Sequence, residues 1–147
     1  MPVVTRRIYC VVAASVLFFV ARGNTQSQTA EVKKSPIRAT SANSGGEMFN
    51  SYCASCHGKD GKGGGPAAAA LKFPPANLTQ LAKKNNGKFP ADRVAKVLRS
   101  GVSGGAHGST DMPIWGPLFS QVSGGDQAIV QMRISNLVKY IESLQEK

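Results

Sequence analysis

No stretch of this sequence alternates apolar and polar residues as a half-buried strand does, which excludes a sheet as the frame of the fold. A long apolar run is missing too. The longest, Ile8 to Val20, is broken only by Ser15 and falls short of the roughly 20 residues a spanning helix needs. Cysteines number 3, and only Cys53 and Cys56 stand as a pair, so a zinc site with a second paired motif is excluded. Acidic residues are scarce, 8 against 18 Lys and Arg, leaving a formal charge of +10. Such a balance suits nucleic acid, an anionic membrane or an acidic protein.

Ahead of the apolar run stand Arg6 and Arg7, and after it Ala21-Arg22-Gly23. A charged head, an apolar run of export length and small residues two apart have the form of a cleaved secretory signal over residues 1–23, with an uncleaved membrane anchor as the alternative. Cys10 then departs with the signal, where it is a small apolar residue of the signal helix. The same cut removes Arg6, Arg7 and Arg22, so the charge falls from +10 to 10 − 3 = +7. An exported or periplasmic protein does not meet nucleic acid. Residues 24–43, NTQSQTAEVKKSPIRATSAN, carry no apolar period and are expected to form a disordered linker. Left attached to an anchor, they would reach about 25 Å on average as a flexible tether.

The folded domain is expected over 44–147. Ser44 is placed to cap a helix through Met48-Phe49-Asn50-Ser51-Tyr52. Gly58 to Pro66, GKDGKGGGP, must be a loop. Ala67 to Lys72 allows a short helix that Pro74-Pro75 stops, with Asn77-Leu78-Thr79 as a turn. A clearer helix runs from about Pro90 to Ser100, with Val94, Val97 and Leu98 on one face and Gly101 after it. Gly101 to Thr110 is again a loop. The last helix starts near Asp126 and carries Ile129, Val130, Ile134, Leu137, Val138, Ile141 and Leu144. Short helices joined by long glycine-rich loops bury a limited core in about a hundred residues. Something else must fill the middle.

Cys53-Ala54-Ser55-Cys56-His57 supplies it. Two thiols three positions apart can each add to one vinyl group of a single haem, and the adjacent imidazole can turn onto the iron, so the pattern reads as attachment of one covalent haem c. A disulfide between the two cysteines would close too short a loop to constrain the chain much. A thioredoxin-like redox pair would want a βαβ context, which is absent.

From Gly45 onward the sequence resembles the class I c-type cytochromes. Gly45, Phe49 and Cys53 stand at four-residue steps before the haem motif, and Leu137 and Tyr140 lie on the last helix. The resemblance implies an all-α cytochrome c fold, three to five helices with long loops around one covalent haem, in which those residues form the crossing of the first and last helices. It also implies export by general secretion, because haem is attached after export to an unfolded chain, and the twin-arginine route suggested by Arg6-Arg7 carries folded proteins.

For the second axial ligand, Met48 is too near the cysteines and Met132 lies within the last helix. Met112, in the rigid loop Asp111-Met112-Pro113-Ile114-Trp115-Gly116-Pro117, resembles the family's ligand loop, and His107 is the rival. The resemblance further implies a proline carbonyl that accepts a hydrogen bond from His57, with Pro66 the better candidate and Pro74 the alternative. Trp115 packs near the haem or in the core.

Iron held by His57 and Met112 has no open position, so the expected function is one-electron transfer and not catalysis, between redox partners with acidic docking surfaces. Lys59, Lys62 and Lys72 are candidates to ring the haem edge. The rivals are a haem sensor with its sixth position open or held by His107, and a small cytochrome subunit of a larger dehydrogenase or oxidase. Membrane association follows only if the signal stays uncleaved.

Overall fold

The computed structural model describes residues 37–101 and 112–146. Every described residue belongs to one compact unit, which begins at Ser35. The expected signal, the linker as far as residue 36, and His107 lie outside the described residues.

The first helical rod begins where Ser44, in extended conformation, accepts a hydrogen bond at its hydroxyl from the Glu47 N–H, 3.1 Å away. That contact satisfies one of the free amides of helix α1, Gly45–Met48. A π-helical turn, Phe49–Cys53, follows and leads into α2, Ala54–His57. The Ala54 N–H reaches back five residues to the Phe49 carbonyl. The wide turn sets the buried face: Met48 and Phe49 are buried where it begins, and Cys53 and Ala54, five positions on, where it ends.

Three single 3-10 turns, Ala68–Ala70, Leu78–Gln80 and Lys83–Asn85, punctuate the long connection to α3, Ala91–Ser100. After it come α4, Trp115–Val122, and α5, Gln127–Ser143. Asp126 caps α5 by accepting from the Ala128 and Ile129 amides at 2.8 and 3.2 Å. No strand occurs among the described residues, and the all-α expectation holds. The expected helix at 67–72 is only a 3-10 turn. The stretch expected as a rigid loop through Pro117 is in part helix α4. Proline is tolerated in a first helical turn, where its missing N–H has no intrahelical partner to lose.

The rod through α1 crosses α5 as expected. A Cβ on Gly45 would run into the Asn136 carbonyl oxygen and lie 2.8 Å from Tyr140 Cβ. Only the absence of a side chain lets the backbones approach this closely. Beside the crossing, the Phe49 and Tyr140 rings stand 5.2 Å apart and tilted by 47°. Met48, Phe49, Cys53, Ala54, Leu98, Trp115, Phe119, Val130, Ile134, Leu137, Val138 and Ile141 form the core, so every α-helix contributes to it.

Residues 37–43 lie within the stretch expected to be linker, and they pack on these helices. Thr40 is buried, and the Asn136 side-chain amide donates to the Ala42 carbonyl at 2.9 Å.

Candidate functional site

Cys53 closes the π turn and is buried, while Cys56 and His57 ride on α2 half-buried. Both cysteines are free thiols. Burial first, and the neighbouring Cys56 second, push the Cys53 thiol up to about 12, so it stands neutral at physiological pH.

The end of α2 is held by the glycine-rich loop lying against it. The Gly63 amide donates to the His57 carbonyl at 2.7 Å, the Gly65 amide to Cys56 at 3.0 Å and the Ala67 amide to Ser55 at 2.8 Å. These carbonyls would otherwise be unpaired at a helix end. Two positions of this layer require glycine. A Cβ on Gly65 would collide with the Ser55 carbonyl oxygen, and one on Gly63, whose φ is +92°, would lie 2.6 Å from the Pro75 carbonyl oxygen. On its far side the loop accepts the Leu78 amide at the Gly61 carbonyl, 2.7 Å away.

The layer thus fixes residues 75–78 over α2, and the Ala76 carbonyl accepts from His57 Nδ1 at 3.0 Å. Neither Pro66 nor Pro74 provides this acceptor, contrary to expectation. Proline still marks the place, since Pro75 immediately precedes the residue that does. A carbonyl only accepts, so Nδ1 carries the proton. Burial lowers the His57 pKa, and the Ala76 hydrogen bond opposes that shift without reversing it. The ring is therefore neutral, with the lone pair on Nε2 available to a metal.

Met112 is half-buried and packs against the core. Trp115 is buried, its ring 5.4 Å from Tyr52 and 5.6 Å from Phe119, which is an ordinary core role. Lys59, Lys62 and Lys72 are exposed.

The donor set fits a covalent haem better than a bare ion. Among the described residues no three of His, Cys, Asp and Glu gather where they could share one metal, so Cys53, Cys56 and His57 do not converge on a single point. Attachment of two thiols to a macrocycle's edge, with one imidazole turned to its centre, requires no such convergence. Tyr52, Leu78, Leu81, Phe89, Val94 and Met112 pack on the core yet keep part of their apolar surface open. A flat apolar ligand would cover that surface.

Comparison with curated proteins and with solved structures gives no match. Residues 40–141 match the family described as Cytochrome C oxidase, cbb3-type, subunit III. That match takes in the haem motif, the crossing of α1 with α5 and Met112, and the chain belongs to this family of c-type cytochrome domains, electron-transfer modules that hold haem covalently and are not themselves catalytic.

Proposed function

We propose that the chain is an exported carrier of single electrons with one haem, bonded through thioethers to Cys53 and Cys56 and held at the iron by His57 Nε2 and Met112 Sδ. The observation that carries this reading is the 3.0 Å hydrogen bond from His57 Nδ1 to the Ala76 carbonyl, next to two free thiols. It fixes the tautomer, turns the ring and makes Nε2 a stronger donor. When bound, the haem would supply one-electron exchange, and a thioether ligand from Met112 would favour its reduced state.

The chain's own residues do the rest. The glycine layer holds the Ala76 carbonyl against the imidazole, and a filled sixth position would leave nowhere for a substrate. The excess of Lys and Arg favours donors and acceptors with acidic faces, most strongly at low salt. The signal-like segment at 1–23 supports export to the periplasm or an equivalent compartment, with anchorage beside a membrane if it is retained. No helix among the described residues is long and apolar enough to cross a membrane.

A second reading, as the cytochrome subunit of an oxidase complex, is favoured by the description of the matched family. Both readings require the same site and differ in what the protein travels with, so copurification from the exported or membrane fraction separates them. The site itself is tested by mass spectrometry of denatured protein from cells able to attach haem. One haem mass retained on a chain beginning near Asn24 is expected, and an unmodified chain would reject the proposal.

A further inference from the structure

Ala76 offers only a backbone carbonyl, so its position depends on what fixes the chain around it. On one side the glycine layer does so, through Gly61 and Leu78. On the other side, just past Ala76, residues 78–82 are bound to the segment that follows α5. Gln145 uses both ends of its amide: Nε2 donates to the Leu78 carbonyl at 2.8 Å, and Oε1 accepts from the Ala82 N–H at 2.8 Å. The same Nε2 reaches the Ile141 carbonyl of α5 at 2.9 Å. The Glu146 amide donates to the Thr79 carbonyl at 2.9 Å. Its carboxylate accepts from the Thr79 hydroxyl at 2.9 Å and from Gln80 Nε2 at 3.4 Å. The single Thr79 hydroxyl proton stands between this carboxylate and Asn77 Oδ1, 2.7 Å away, and the Thr79 amide also donates to Asn77 Oδ1 at 2.9 Å. Thr79 is buried, while the Glu146 carboxylate that accepts from it is exposed. The polar chain runs without a gap from α5 through Gln145 and Glu146 to Thr79, Asn77 and the adjoining Ala76.

We infer that Gln145 and Glu146 are positioning residues for the axial imidazole, holding the Ala76 carbonyl at hydrogen-bond distance from His57 Nδ1 and so helping to set the reduction potential. The inference rests on His57 being an iron ligand. An imidazole whose Nδ1–H is well bonded gives more electron density to the metal and stabilises the oxidised state. A loosened Ala76 carbonyl therefore raises the midpoint potential and exposes the ring proton to exchange.

The experiment uses haem-loaded protein and reads two quantities, the midpoint potential and the solvent exchange of the His57 Nδ1 proton by nuclear magnetic resonance. Gln145→Ala and Glu146→Ala are expected to raise the potential and speed exchange. Thr79→Val, which attacks the contact from the other side, shifts both in the same direction. Glu146→Gln keeps an oxygen to accept from Thr79 and restores both towards the parent values. A parent with no coordinated-imidazole signature from His57 overturns the ligand assignment itself. With that signature present, variants that lose thermal stability while potential and exchange stay at parent values overturn the positioning role alone.

Discussion

Arg133 Nη1 donates to Thr40 Oγ1 at 3.2 Å inside the protein, across 93 residues of sequence. The guanidinium is buried, and its other partners among the described residues are the Ser123 hydroxyl at 3.0 Å and the Met48 sulfur at 3.8 Å. Guanidinium only donates, so the Thr40 oxygen accepts from it and turns its own proton to the Tyr52 oxygen at 2.9 Å. Tyr52 in turn donates to the Arg38 carbonyl at 2.6 Å. The Arg38 carbonyl can only accept and takes the Tyr52 proton, which leaves the Thr40 hydroxyl to donate to Tyr52, and the chain fastens residues 38–40 to the helix that carries the cysteines. Thr40→Val removes the acceptor and keeps the shape. It should cost about 1–3 kcal/mol, the range for leaving a buried polar group short of a partner, read as a lower denaturant midpoint at unchanged slope.

Gly45→Ala tests the helix crossing. The added methyl meets the Asn136 carbonyl oxygen and Tyr140 Cβ, neither of which is the end of a flexible side chain, so α1 and α5 must separate. Overpacking of this kind costs about 1–3 kcal/mol. A thermal midpoint equal to the parent's would show that the close approach is not needed.

The elements that were readable from sequence are those whose periodicity is unbroken. The stripe of α5 and the α3 pattern between Pro90 and Gly101 both appear where expected. Helix α4 is hidden in the sequence because Met112-Pro113 and Gly116-Pro117 carry the marks of a rigid loop, although Trp115, Leu118, Phe119 and Val122 step along it in threes and fours. Arg133 carried a signal too, since it falls on the apolar stripe of Val130, Ile134 and Leu137, where a cation belongs only if it is buried and bonded. The partner of His57 left no such trace. Any residue has a carbonyl, so Ala76 is marked only by the chain path that the glycines and Gln145 impose. Gln145 and Glu146 likewise look like an ordinary polar end to a helix until the fold brings Leu78, Thr79 and Ala82 beside them.

Acid should weaken the contact after α5. The Thr79 hydrogen bond chiefly, then Gln80 and the charges of Lys62 and Lys83, hold the Glu146 carboxyl below the usual carboxylate range, against a smaller opposing effect of desolvation. A carboxyl whose pKa is lower folded than unfolded adds stability above its unfolded pKa, and that stability is lost as the pH falls through the folded value. Stability of the parent should therefore decline below the ordinary carboxylate range. Glu146→Gln should flatten that part of the decline, and because the carboxylate is exposed, added salt should shrink the difference between the two proteins. Parallel acid limbs for parent and variant in denaturant titrations would exclude the contribution.

Met112→Ala decides whether the site carries electrons or senses a ligand. Met112 is half-buried against the core, so the substitution removes a thioether and some apolar packing while Cys53, Cys56 and His57 stay in place. Haem should remain attached, because both thiols still hold it. Losing a ligand that favours reduced iron should lower the midpoint potential, and an opened sixth position should bind carbon monoxide. If His107 takes the freed position instead, carbon monoxide binding stays weak until His107→Ala is added, and the spectrum changes a second time. A variant whose spectrum and potential match the parent's excludes Met112 as the ligand. Rapid carbon monoxide binding by the parent itself would mean that the sixth position is open already, and the sensor reading would replace the carrier.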